Sequence, residues 1–272
     1  MHRVIDEILR ATGRRVARLH QGGAGDAGAP ADADADALTR TGHRDIIKLI
    51  RSRKLEKKVP VIAEVKPGSP TTENRGITPE DASKIAREME AAGAVAISVL
   101  TEPDFFYGGI ANLSAVRRSV TIPVLRKDFI IDEKQIYETE SDLILLISGI
   151  LGDDLGRFVD LSLARGLEPL VEVHNETELA NALNTQTRII GVNNRDLTTL
   201  FIDLSTAERL IPLIPDDRII ISESGVRNSA DAIRVIGAGA DAVLVGTAVM
   251  DAPFERTKDL VDAFGGHDDR CM

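Results

Sequence analysis

EAAGAVAISVL at residues 90–100 and IGAGADAVLVG at residues 236–246 follow one grammar. Each closes a helix-period stretch, places a glycine (Gly93, Gly239) and passes at once into a short aliphatic run. A glycine there suits the left-handed residue that ends a helix. The run behind it does not alternate with polar residues, which suits a strand buried on both faces. Such strands belong to parallel sheets whose faces are covered by helices.

Outward from these two stretches the same unit recurs. Strands are expected at VIAEV (61–65), AVAISVL (94–100), IPVLR (122–126), LILLI (143–147), PLVEV (169–173), RIIGVN (188–193), RIIISE (218–223) and AVLVG (242–246). Helix starts stand between them at Thr78-Pro79-Glu80-Asp81, Asp132-Glu133, Asp153-Asp154, Asn175-Glu176, Ser205 and Asn228. A capping side chain followed by early acids favours an exposed helix N-terminus. Gly166 joins Gly93 and Gly239 as an expected helix terminator. Eight such units over roughly 210 residues fit a closed (β/α)8 barrel, a TIM barrel, better than an open doubly wound sheet. Residues 1–57 are then an N-terminal helical extension with helices at 3–19 and about 43–57, and 58–272 are the barrel, in a single domain overall. The stretch GGAGDAGAPADADAD (22–36) has no apolar periodicity and is expected to be a mobile surface insertion.

Composition narrows the function classes. The chain has 272 residues, 43% hydrophobic and 28% charged, enough to bury a sizeable core. A net charge of −10 opposes non-specific binding to nucleic acid or an anionic membrane. Aromatics at 3%, with no Trp, are too few for base-stacking surfaces. No apolar stretch has the length of a membrane span. The N-terminus carries charges where a signal peptide needs an apolar segment, and the single cysteine, Cys271, has no partner for a disulfide; a cytoplasmic location is expected.

In a barrel of this kind the working face is the C-terminal end of the strands. The expected strand ends carry Glu64 and Lys66, then Arg126-Lys127-Asp128, Glu172, Asn193-Asn194-Arg195, Glu223-Ser224 and Gly246-Thr247. One such charge alone is read as a salt bridge or a solvated loop group. Polar ends on five strands at one mouth point to a site, because converging charges shift one another's pKa values. Alternation turns Val171 and Val173 toward the helices and Glu172 inward. The loops at Ser224-Gly225 and Gly246-Thr247 are where barrels often hold phosphate. No Walker loop and no GxGxxG is present, and His174 has no second His or Cys at ligand spacing, so no metal is expected and His174 is read as a supporting residue.

The motifs AEVKPGSP (63–70), VLRKDFI (124–130), LVEVH (170–174), GVNNRDL (191–197), ISESGV (221–226) and LVGTAVM (244–250) together resemble indole-3-glycerol phosphate synthase of tryptophan biosynthesis. The resemblance implies a lyase that uses neither cofactor nor metal. It would convert 1-(2-carboxyphenylamino)-1-deoxyribulose 5-phosphate to indole-3-glycerol phosphate, CO2 and water. It further implies Lys127 as general acid, Glu172 as its partner in the dehydration, and Lys66 as a second lysine. Glu64, Asn193 and Glu223 would form an orienting polar wall joined by Ser224. Phosphate would fall to Gly225, Gly246 and Thr247 with Ser69 and Lys66 near, Arg195 would contact substrate, and Phe129, with Phe105 or Phe106, would meet the aromatic ring. The expected partner is a small phosphorylated substrate, and the protein is expected to be a monomer or a weak associate of other enzymes of that pathway. Another phosphate-binding barrel enzyme (a sugar-phosphate isomerase or a Schiff-base aldolase) and a non-catalytic scaffold stay open as alternatives.

Overall fold

The computed structural model describes residues 3–21, 44–138 and 140–264. The 22–36 insertion and Cys271 lie outside the described residues. Eight strands, β1 (Val61–Val65), β2 (Ala96–Leu100), β3 (Val124–Lys127), β4 (Leu143–Ile147), β5 (Glu168–Val173), β6 (Ile189–Asn193), β7 (Ile219–Glu223) and β8 (Ala242–Val245), pair in parallel in sequence order, and β8 returns to β1. The sheet is therefore the closed (β/α)8 barrel expected from the repeat. No helix among the described residues is long and apolar enough to cross a membrane.

Expected and observed strands agree at β1 and β4 and differ by one or two residues elsewhere. One difference has consequences. The third strand starts after Pro123, which cannot donate to the ladder, and continues one residue further than expected, through Lys127. Lys127 thereby pairs in register with Leu100 of β2. Its backbone belongs to the barrel wall instead of the loop beyond it.

Strand alternation divides the core in two. Val61, Ala63, Val65, Val99, Val171, Val173 and their equivalents pack outward against the helices. Ile62, Leu125, Leu143, Leu145, Leu170, Ile189, Ile221 and Leu244 fill the barrel interior. The helices start where the caps predict. Thr78 and Asp81 form a reciprocal capping box on the helix Pro79–Ala91, and the Asn175 and Asn228 side chains each accept the N3 amide of theirs. Gly93, Gly166 and Gly239 have φ of +101°, +73° and +110°, the left-handed values that close a helix. Asp153-Asp154 themselves lie in a 3-10 turn, Gly152–Asp154, that precedes the helix Leu155–Ala164, and Asp154 pairs with Arg157 instead of capping.

Two helices precede the barrel, α1 (Arg3–Gln21) and α2 (Ile46–Leu55). They serve opposite ends. Arg44, just before α2, donates to the carbonyls of Ile122 and Arg117, and Lys54 pairs with Asp241, all at or before strand starts. Arg15 of α1 instead pairs with Asp128 at 3.0 Å, and His20 with Asp132 at 2.9 Å, both beyond the end of β3. Lys134 also donates to the Leu19 carbonyl at 3.2 Å, satisfying a helix-end acceptor. Thus α2 closes the bottom of the barrel and α1 leans over its mouth.

Candidate active site

At the C-terminal ends of the strands lies a cavity of about 1000 Å3. Every site residue expected from the sequence lines it: Glu64, Lys66, Ser69, Lys127, Phe129, Glu172, Asn193, Arg195, Glu223, Ser224, Gly225, Gly246 and Thr247. They arrive from six different strands and the loops after them. Val4, Ile5 and Ile8 of α1 add an apolar wall that no local sequence signal assigns to a site.

Lys127 occupies the centre. Its Nζ donates to Glu223 Oε2 at 2.7 Å and to Glu172 Oε2 at 3.3 Å. Burial opposes its charge, but Glu223, Glu172 and Glu64 outweigh burial and hold its pKa well above the usual lysine value. Lys66 Nζ is 3.8 Å from Glu64 Oε1, and Ser98 donates to the other Glu64 oxygen at 3.3 Å. Burial lowers the Lys66 pKa; Glu64 resists, and Arg195 and Lys127 add to the lowering. The two lysines of one cavity are thus pushed in opposite directions.

The carboxylates also part company. Burial should raise both Glu172 and Glu223, which are 2% and 1% exposed. Lys127 and His174 nevertheless hold Glu172 well below the usual carboxylate range. Burial and the nearby Glu172 charge push Glu223 up to about 7 against the pull of Lys127. The shorter contact to Lys127 therefore belongs to the more readily protonated acid, so the two carboxyls titrate as a pair around one ammonium. Glycines make room for this crowding. A Cβ on Gly191 would lie 2.2 Å from Glu223 Oε1, and one on Gly246 would lie 2.4 Å from Glu64 Oε1.

The flanking residues of the RKD triplet turn the other way, as alternation requires. Arg126, 1% exposed, pairs with Asp128 at 3.0 Å and with Glu138 at 2.7 Å. Asp128 also accepts from Thr101 at 2.8 Å and from Arg15. This network anchors the chain on both sides of Lys127.

The opposite rim is built from backbone. Ser224 and Gly225 have consecutive positive φ, +63° and +90°. Asn194 supports that turn: its amide donates to the carbonyls of Glu223 and Ser224 at 2.9 and 3.0 Å. Asn193 Oδ1 accepts the Arg195 amide at 3.0 Å, and Arg195 donates to the Leu200 carbonyl at 3.2 Å. The Ser69 hydroxyl lies 2.9 Å from that of Thr72, which engages it within its own loop. Arg227 and Arg256 line this part of the cavity and were not singled out in the sequence. Arg227 follows ISESGV directly and could have been found there; Arg256 lies on the helix Pro253–Val261, outside every motif.

Of the two loop phenylalanines, Phe106 lines the cavity and Phe105 does not. The Phe106 and Phe129 rings are 6.0 Å apart, and Lys66 Nζ lies 5.9 Å from the Phe106 centroid. Glu102, buried and also missed in the sequence, shapes this loop by accepting the amides of Asp104, Phe105 and Phe106 at 3.0, 2.7 and 3.0 Å. His174 stands behind Glu172, with Nε2 3.2 Å from Glu172 Oε1, as a supporting position requires.

Known proteins resemble this chain in fold and in sequence. A protein with the same barrel fold, an N-acetylmannosamine-6-phosphate 2-epimerase from Clostridium perfringens, superposes with a TM-score of 0.58. That match covers 83% of this chain and 97% of the epimerase at 12% identity, so it speaks to fold alone. An indole-3-glycerol phosphate synthase of Halobacterium salinarum is 46% identical over 221 residues, 81% of this chain and 87% of the relative. One of Methanocaldococcus jannaschii is 44% identical over 215 residues, 78% of this chain and 80% of the relative. The model of the indole-3-glycerol phosphate synthase family matches residues 24–260, which span all eight strands; the chain belongs to that family.

Proposed function

We propose that this chain closes the indole ring of 1-(2-carboxyphenylamino)-1-deoxyribulose 5-phosphate, releasing CO2 and water and leaving indole-3-glycerol phosphate. The observation that carries the reading is Lys127, set 2.7 Å from Glu223 and 3.3 Å from Glu172 at the centre of the cavity. As the ring carbon bearing the carboxylate attacks the ketone carbon, Lys127 delivers a proton to the ketone oxygen. Loss of CO2 then restores the aromatic ring. Glu223, protonated near neutrality, is placed to return a proton to Lys127.

In the dehydration the new hydroxyl leaves as water, protonated by Lys66, and Glu172 accepts the proton that the forming double bond releases. The lowered Lys66 pKa suits a donor, and the ionised Glu172 suits a base. Glu64 and Asn193 orient these groups. Ser224, Gly225, Gly246 and Thr247 receive the phosphate, with Ser69, Arg195 and Arg227 at its edge. Phe106 and Phe129 flank the aromatic ring.

A Schiff-base aldolase would require Lys127 as a free amine, and the carboxylates that hold its charge oppose that. The reading takes residues 58–272 as the catalytic barrel and 1–57 as its extension. It also takes the protein as a cytoplasmic enzyme, a monomer or a weak associate of other enzymes of the pathway. Indole fluorescence on mixing protein and substrate tests the activity, and absence of Trp keeps the background low. No product from the folded protein, at low and at high salt, would reject the reading.

A further inference from the structure

Glu172 and Glu223 share Lys127 through their Oε2 atoms, and their other oxygens meet different surroundings. Glu223 Oε1 is buried without a hydrogen-bond partner, against Gly191. Glu172 Oε1 faces His174 Nε2 at 3.2 Å. His174 is held from behind by the helix Glu176–Leu183. Glu178 Oε2 lies 2.9 Å from His174 Nδ1 and accepts the His174 amide at 2.9 Å as well. Asn175 Nδ2 donates to Glu178 Oε1 at 2.8 Å, and a Cβ on Gly149 would come within 2.7 Å of that oxygen.

This geometry leaves the imidazole little freedom. Nδ1 faces a carboxylate and must carry a proton to bond it. Nε2 lies 3.2 Å from a second carboxylate, without hydrogen-bond alignment, and an ionised Glu172 at that distance favours a proton on it as well. An imidazolium at this position pairs with both acids, at 3.2 and 2.9 Å. Only Glu172 of the two carboxylates at Lys127 receives this extra charge.

We propose that His174, clamped by Glu178, is a positioning residue that keeps Glu172 the ionised member of the Glu172–Glu223 pair and leaves the shared proton to Glu223. The proposal rests on the reading of Glu172 as the base. Without such a bias two buried carboxylates would divide the proton, and the base would be blocked in a fraction of the molecules. Facing Glu172 are Lys127 from β3, Asn193 from β6, Glu223 from β7 and His174 from just beyond the end of β5; facing His174 are Glu172 and Glu178. Burial opposes the His174 charge, but the two acids raise its pKa to about 10. The order of residues shows how the device is assembled: His174 follows β5 directly, two residues after Glu172, and the Asn175 cap brings Glu178 back over the strand end.

Two measurements test this. In protein labelled with 15N at its five histidines, with His174→Asn identifying the resonance, His174 should show both ring nitrogens protonated from pH 6 to 9. A neutral ring at pH 7 overturns the proposal, whatever the reaction catalysed. In the pH profile of kcat, His174→Phe should move the acid limb upward by roughly 1–3 pH units. His174→Asn, which keeps an N–H donor, should move it less, and Glu178→Gln should move it in the same direction, all with KM little changed. An unshifted limb in every variant overturns the proposal even where kcat falls. If the wild type forms no indole product, the proposed function fails, and the histidine spectrum still judges the imidazolium; if a variant does not fold, the wild-type spectrum decides.

Discussion

A lysine 2.7 Å from one buried carboxylate and 3.3 Å from another cannot change its protonation alone, because each partner's charge depends on its own. Lys127→Met removes the proton donor and the cation that lies between Glu172 and Glu223. It should lower kcat by about 10²–10⁴-fold, the usual span for one acid–base group, as read from indole fluorescence. Glu223 makes a separate prediction on stability. Its folded pKa, about 7, lies above the ordinary 4.5, so the folded state holds a proton that the unfolded chain has lost. The stability this contributes is complete below pH 4.5 and is lost as pH rises to about 7. Glu223→Gln cannot titrate, so its urea midpoint should fall less than that of the wild type across this window. Equal slopes for the two proteins would contradict the placement of the proton.

At the scale of elements, strands carry the chemistry and glycines set how closely it can be packed. Gly191 on β6 leaves the space that Glu223 Oε1 fills from β7. Gly191→Ala should leave the fold intact, because the obstructed atom is the end of a movable side chain. The displaced carboxylate should lower kcat on the order of 10²-fold, the effect of moving a catalytic group by about an ångström. Circular dichroism unchanged with activity unchanged would show that Glu223 has slack. Strand existence, helix caps and the inward turn of Glu172 were legible because each is written in neighbouring residues: aliphatic runs, Thr78 with Asp81, Val171 and Val173 about Glu172. The end of β3 was misplaced by one residue because charge suggested a loop, whereas ladder pairing to Leu100 extends the strand through Lys127.

Across the whole molecule, α1 joins the mouth through Arg15, whose guanidinium reaches both oxygens of Asp128 at 3.0 Å. Arg15→Ala leaves Asp128 paired with Arg126 and Thr101, so the loss should be about 1.5–3 kcal/mol, the value of a charged hydrogen bond. Urea unfolding measures it, and no change in midpoint would mean that Ile5 and Ile8, with the His20–Asp132 and Lys134–Leu19 contacts, hold α1 without it. The Arg15–Asp128 pair spans more than a hundred residues, and nothing near either residue announces it. The same is true of the apolar wall that α1 adds to the cavity.

The sequence by itself determined the repeated strand–helix unit, the closed barrel, the family and the set of strand-end residues at its mouth. The unit, the barrel and the strand ends follow from periodicity, capping and backbone sterics, which act between residues a few positions apart, and the family from the resemblance of six short motifs. Only the tertiary structure decided that Glu172 and Glu223 share Lys127, that α1 covers the mouth while α2 closes the bottom, and that the Ser69 hydroxyl is engaged by its own loop. These depend on barrel closure and on the register of every strand pair around the ring, so no single stretch of chain contains them.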